Sequence, residues 1–323
     1  MREHDLAFAV GRIKVLETRL LDAARLERLA EAADLDGARA LLGETEYAEA
    51  LAGGRGPAEI AAAELIRVRR LLLGMLPQAR ELHFLLWRWD LLNLKSLLRA
   101  TAAEKADPLN ELGMYAPAEL VAWLKGEDRP MPALFQEARR AGEEAFRSTG
   151  DPQMLDAAID AVYYRHGARL WRELPGPTLA DYWRARIDLT NIRTLVRSKL
   201  LGFAPARVRA LFLQEGGLAP ETLSEVAGRS WEEIGAWLSA GPYAALAQNP
   251  AELRSLPALE KRADNLLLSI LRAAKGVSLG LEPLLGYYLA KEHETRLVDM
   301  VLSAKAAGVP GAEIKERLRV VYA

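Results

Sequence analysis

Asp90-x-x-Asn93 and Asp188-x-x-Asn191 are the positions of this chain whose residue types and spacing could carry chemistry. On a helix, residues three apart share a face, so each pair presents a carboxylate beside an amide. Two such helices face to face could hold magnesium and a diphosphate, as some helical enzymes do. That chemistry calls for a denser set of carboxylates. Each pair offers only one, and a third copy, Glu294-x-x-Leu297, has leucine in place of the amide. The structural reading of the same residues is that the acids are buried against a cation or backbone amides. The asparagines would then bond to a backbone end on a neighbouring segment, because a buried polar group must find such partners. An enzyme has no use for three degraded copies of one site, whereas a repeated fold would repeat one packing solution.

No other catalytic constellation stands out. No GxxxxGK[ST] loop is present, and Gly53-Gly54-Arg55-Gly56 runs into Pro57 with no strand before it, so it reads as a loop and not a phosphate cradle. Cysteine is absent, which removes disulfides, thiolate zinc sites and cysteine nucleophiles. His4, His83, His166 and His293 stand singly, without HExxH or a second histidine at helical spacing. No catalytic residue, metal ligand or cofactor is therefore assigned. With 43 Lys plus Arg against 44 Asp plus Glu, the net charge of −1 supplies no field for nucleic acid or an anionic membrane. The clusters Arg67-Val-Arg69-Arg70, Arg184-Ala-Arg186 and Arg207-Val-Arg209 read as solvated helix faces, while Trp87, Trp89, Trp123, Trp183 and Trp237 read as core. Arg184, Arg186 and Lys291 are the candidates for a partner surface.

The elements that must position these residues are helices. Apolar residues recur every three or four positions, Ala, Leu, Arg and Glu are abundant, and no alternating β-branched run occurs. Pro and Gly punctuate the periodic segments into roughly a dozen to fifteen helices. Thr178-Leu-Ala-Asp181 has the form of a capping box, and Pro77 and Pro283 suit the first turns of two further helices. The opening Met1-Arg-Glu-His-Asp lacks the apolar stretch of an export signal. The longest uncharged run, 234–251, carries two prolines and two glycines and cannot be a spanning helix.

Three long segments superpose without gaps on Asp90, Asp188 and Glu294. Six positions before the acid stand Phe84, Tyr182 and Tyr288, and apolar residues follow at four, seven and eight positions after it. The second and third segments both close on Lys-x-x-Gly, at Lys199 and Lys305. A weaker echo links Ala40-Leu-Leu42, Ala122-Trp-Leu124 and Ala236-Trp-Leu238, and the segment from Leu42 to Tyr47 matches that from Leu238 to Tyr243 at its ends. The repeat is about a hundred residues long, which places three helical units at 1–107, 108–203 and 204–323.

These motifs, in this order, resemble the C subunit of the A/V-type rotary ATPases, the relative of the eukaryotic d subunit. The resemblance rests on Asp90-x-x-Asn93-Leu-Lys95, Asp188-x-x-Asn191-Ile-Arg193 and Tyr288-Leu-Ala-Lys291-Glu292-His293-Glu294-x-x-Leu297-Val-Asp299. The close, Ala304-Lys305-Ala-Ala-Gly308-Val-Pro310, is similar to the family's Gly-Lys-x-x-Gly-Leu-Pro, with Ala304 replacing glycine. The family's third copy commonly reads Asn-(Val or Leu)-Arg where this chain has Leu297-Val298-Asp299, so the third unit need not keep the same polar contact. The resemblance implies an all-α fold of three similar units around a pseudo-threefold axis, forming a funnel. It implies a non-catalytic rotor socket that binds no nucleotide and sits on the cytoplasmic face of the membrane proteolipid ring. Central shaft subunits of the D and F type would plug into the hollow, and proton or sodium passage would be coupled to ATP synthesis or hydrolysis. A helical scaffold assembling unrelated partners stays open as the alternative.

Overall fold

A computed structural model of the chain describes residues 3–103 and 108–323. The unit boundary expected at 107 and the side chain of His4 lie outside the described residues. Within them the chain is all-helical, with no strand. In order, the helices are α1 (Glu3–Glu17), α2 (Ala23–Glu31), α3 (Leu35–Leu42), α4 (Pro57–Met75), α5 (Arg80–Ala103), α6 (Pro117–Leu124), α7 (Ala133–Thr149) and α8 (Pro152–Arg172). They continue as α9 (Thr178–Leu200), α10 (Pro205–Leu211), α11 (Pro220–Ala227), α12 (Trp231–Ser239), α13 (Leu256–Leu271), α14 (Glu282–Ala306) and α15 (Gly311–Arg317). The three helices that carry the repeated acids, α5, α9 and α14, are the longest described, at 24, 23 and 25 residues.

Local sequence accounts for most helix starts. Pro57, Pro117, Pro152, Pro205 and Pro220 each occupy the first position of a helix, where the missing N–H costs nothing. Asp22 and Asp34 cap α2 and α3 by accepting from Arg25 N and Gly37 N, both at 2.8 Å. A capping box forms between Ser230 and Glu233 on α12. The box expected at Thr178 does not form. The cap residue of α9 is Pro177, whose carbonyl accepts from Asp181 N at 2.8 Å, so Thr178 lies one position inside the helix. Pro283 does sit in the first turn of α14, but Pro77 falls in the turn before α5.

The chain divides into two compact units: Met1–Leu82 with Asp264–Ala323, and His83–Ala263. In the first, α14 is buried on nearly every side from Glu282 to Val298, against α1, α2, α3 and α4. Its core is aliphatic: Leu26, Leu29 and Ala30 of α2, Ala38 and Leu42 of α3 and Ile60 of α4 close over Leu297, Val298, Val301 and Leu302, with Tyr47 beside them. The second unit is built around aromatic rings. Phe84 stacks on Tyr163 at 4.6 Å between centroids and meets Trp171 and Trp183 edge-on, while Trp87 meets Phe135, and Phe135 meets Tyr115. Gly167 lies so close to the Trp183 ring that a Cβ there would collide with it.

Candidate functional site

Asp90 is fully buried on α5. Its Oδ2 accepts from Met114 N at 2.8 Å and its Oδ1 from Tyr115 N at 3.1 Å, in the turn that opens α6. Asn93, one helical turn on, clasps Asn110: its Nδ2 donates to Asn110 O at 2.8 Å and its Oδ1 accepts from Asn110 N at 2.9 Å. Asp188, 1% exposed on α9, repeats the arrangement. It accepts from Gly217 N at 3.0 Å, Leu218 N at 2.9 Å and the Tyr243 hydroxyl at 2.6 Å. Asn191 clasps Leu213 in both directions at 2.8 Å. In each copy the asparagine reads a residue five positions before the outer amide of the acid's pair, and two positions after that amide a proline, Pro117 or Pro220, starts the next helix.

Two glycines that sequence reasoning treated only as punctuation, or passed over, make this geometry possible. Gly113 and Gly216 each precede the amides that bond the acid, and a Cβ at either would overlap the carboxylate. The absent side chain lets the backbone approach closely. The available signal was a glycine followed four residues later by proline, downstream of each Asp-x-x-Asn helix.

Glu294 occupies the equivalent position on α14 in the first unit and is satisfied differently. Leu21 N donates to Oε2 at 2.6 Å, while Tyr47 Oη, at 3.0 Å, and Lys291 Nζ, at 2.7 Å, donate to Oε1. Lys291 also pairs with Glu64 of α4 at 2.8 Å, and Glu64 in turn accepts from Arg67 Nε at 2.7 Å. Arg67 reaches Glu46 at 3.3 Å, so the buried cluster opens to solvent through a chain of alternating charges. The extra methylene of glutamate lets it reach a turn in which Arg19, not glycine, stands two residues before the donating amide. Burial works against the Lys291 ammonium, but the Glu294 and Glu64 carboxylates outweigh it and hold its pKa above the ordinary lysine value. Burial, reinforced by the same carboxylates, raises the Tyr47 phenol well above its usual pKa, so Tyr47 stays a donor.

Lys291 is therefore not the surface residue expected from its sequence. It is 1% exposed, and its charge is needed inside, between two carboxylates. Arg184 is exposed, paired with Asp181 at 2.9 Å, and Arg186 is half-buried over the Trp183 ring, with the Tyr164 and Tyr182 hydroxyls 3.4 Å from its guanidinium. Leu297 packs in the aliphatic core, and Asp299 accepts from Ser303 on its own helix at 3.1 Å.

For magnesium-dependent diphosphate chemistry, Asp90 and Asp188 would have to offer free carboxylate oxygens to a cleft. Both oxygens of each are engaged by backbone amides, and neither residue lines the groove of about 310 Å³ beside α8 and α9, whose walls include Asp156, Asp160, Arg193, Arg197 and Glu260. Among the described residues no group of three or more histidines and carboxylates is placed to hold a metal. No described helix is long and apolar enough to cross a membrane.

The sequence model of the ATP synthase (C/AC39) subunit family matches residues 9–317. The chain is 30% identical to the C subunit of the V-type ATP synthase of Thermus thermophilus, over 97% of this chain and 98% of that one. It is 24% identical to the C subunit of the A-type ATP synthase of Thermococcus kodakarensis, over 95% of this chain and 88% of that one. With the C subunit of the V-type sodium ATPase of Enterococcus hirae it shares 27% identity over 53% of this chain and 52% of the relative.

Proposed function

This chain belongs to the ATP synthase (C/AC39) subunit family, and from that premise we propose that it is the non-catalytic rotor socket of a V/A-type ATP synthase or ATPase. In this reading three helical units, near 1–107, 108–203 and 204–323, surround a pseudo-threefold axis as a funnel. One end rests on the cytoplasmic side of the proteolipid ring, and the other receives central shaft subunits of the D and F type. The socket turns with the rotor and transmits torque between ion passage, of protons or sodium, and ATP synthesis or hydrolysis.

The observation that carries this reading is the use of the repeated acids. Asp90, Asp188 and Glu294 sit at the same position of the three longest helices, and each ties its helix to a separate segment of chain. Hydrogen bonds to a buried carboxylate are strong and directional, so they fix helices against sliding, which a torque-passing part requires. A socket of this kind needs no nucleotide site. Arg184 and Arg186 remain the candidates for contact with the shaft, because the charge of Arg184 projects from a helix whose inner face is already anchored. Such an interface is polar and reversible.

Reconstituting the complex with and without this protein, and measuring ion pumping beside ATP hydrolysis, tests the reading. Loss of pumping with hydrolysis retained is the expected outcome. Unchanged coupling in its absence, or ATP turnover by the purified chain alone, would overturn it.

A further inference from the structure

In the second unit the long helix and its anchoring segment follow one another along the chain. Helix α9 ends on the left-handed Gly202 (φ 66), where Phe203 N donates to Ser198 O at 3.0 Å, and α10 follows. The chain then passes through the turn that bonds Asp188, into α11 and α12, and reaches Tyr243. Helix α14 ends in the same way, on Gly308 (φ 72) with Val309 N bonded to Ala304 O at 2.9 Å, and α15 follows at the spacing of α10. What anchors α14, however, comes from the other end of the chain.

The correspondence is residue by residue. Leu21 N bonds Glu294 as Leu218 N bonds Asp188. Helices α2 and α3 take the places of α11 and α12, and the Tyr47 hydroxyl meets Glu294 as Tyr243 meets Asp188. Lys305 Nζ donates to Ala32 O, past the end of α2, and Lys199 Nζ to Arg229 O, past the end of α11, each at 2.5 Å. From Leu21 to Tyr47 is 26 positions, and from Leu218 to Tyr243 is 25.

We propose that the third copy of the repeat is cyclically permuted, which replaces the linear division near 107 and 203: the segment 20–47 is the clasp of α14, completing across the chain ends what the segment 217–243 completes for α9. The echo of Ala122-Trp-Leu124 with Ala236-Trp-Leu238 then changes partner. The turn bonded to Asp90 leads directly into α6, which puts α6 in the place of α11 and not of α12.

Permutation also explains the leucine at 297. Asn93 and Asn191 read a backbone residue five positions before the outer amide of the acid's pair. Five positions before Leu21 is Leu16, in the last turn of α1, whose carbonyl already accepts from Arg19 N at 3.0 Å. An asparagine at 297 would be buried without that clasp, at a cost that an apolar side chain avoids. A clasp joined to its helix only by side chains and packing can open as a unit by itself.

A protease site placed at Gly53-Gly54, in the exposed loop before α4, tests the clasp. The nicked chain is expected to keep 1–53 bound. Glu294→Gln with Tyr47→Phe should speed release of that fragment at least tenfold, and Asp188→Asn with Tyr243→Phe should leave the rate unchanged. Equal effects of the two pairs, or none from the first, would overturn the proposal. In the uncut parent, hydrogen exchange gives a second measurement. Amides of α2 and α3 should open together with the second half of α14, and independent opening would count equally against a clasp.

Discussion

The two units bury an acid at the same helical position and neutralise it by different means. In the unit His83–Ala263, both carboxylate oxygens of Asp90 and of Asp188 accept from backbone amides of tight turns, donors that no side-chain change removes, and Tyr243 adds a hydroxyl to Asp188. In the other unit, Glu294 has one backbone amide and otherwise depends on Lys291 and Tyr47, and Lys291 depends in turn on Glu64. Backbone donors carry no net charge and leave little to rearrange. A buried ion cluster places charges in a medium where each requires the others. The amide-held unit is therefore vulnerable at its glycines, and the ion-held unit at its charges.

Removing the ammonium should have the largest effect. Lys291→Met leaves Glu64 and Glu294 buried with their shared cation gone, and should cost about 3–5 kcal/mol in denaturant unfolding. A midpoint equal to the parent's would show that the cluster is not a mutual dependency. A second consequence of burial in the same unit is acid sensitivity. His293 Nε2 lies 2.9 Å from Val320 O, and burial, aided by Arg296, lowers its pKa from 6.5 to about 4. The unfolded chain then takes up the proton first. Stability is complete above pH 6.5, falls as the pH drops toward 4, and loses about 3 kcal/mol over that window. The difference in unfolding free energy between the parent and His293→Gln should carry this pH dependence, and a difference flat with pH would exclude it.

In the amide-held unit, Gly216→Ala puts a methyl group against the Asp188 carboxylate and forces the turn away, at about 1–3 kcal/mol. The same substitution at Arg19 of the ion-held unit, Arg19→Ala, should change stability by less than about 0.5 kcal/mol beyond the loss of its surface pair with Glu46. Equal costs at the two positions would erase the contrast. The tyrosines should cost less than the glycine. Tyr243→Phe and Tyr47→Phe each remove one hydroxyl from a carboxylate that keeps other donors, for about 1–2 kcal/mol. The loss should be larger for Tyr47, since Asp188 retains two backbone amides and Glu294 only one. Thermal melts of the pair would decide the order.

How much of this was legible in the sequence varies from residue to residue. The helices α5, α9 and α14, their shared register on Asp90, Asp188 and Glu294, and the aromatics Phe84, Tyr182 and Tyr288 at one offset all followed from apolar periodicity, which is a local property of the chain. Lys291 was misread because its neighbours Glu292, His293 and Glu294 look like a solvated face. Only the packing of α1 through α4 around α14 makes that face an interior. The roles of Gly113 and Gly216 were also hidden, since a glycine in a turn and a glycine pressed against a carboxylate read alike.

Order along the chain, periodicity and the repeated acids were thus determined by the sequence itself, because helix formation and side-chain spacing depend on residues within a turn or two of one another. Which segment anchors which acid was decided only by the tertiary structure. A carboxylate in a helix specifies that donors must come, but not from where. Backbone amides, common to every residue, serve as donors in all three copies, and for Glu294 the Leu21 amide and the Tyr47 hydroxyl arrive from more than two hundred residues away, once the chain has folded back on its own beginning.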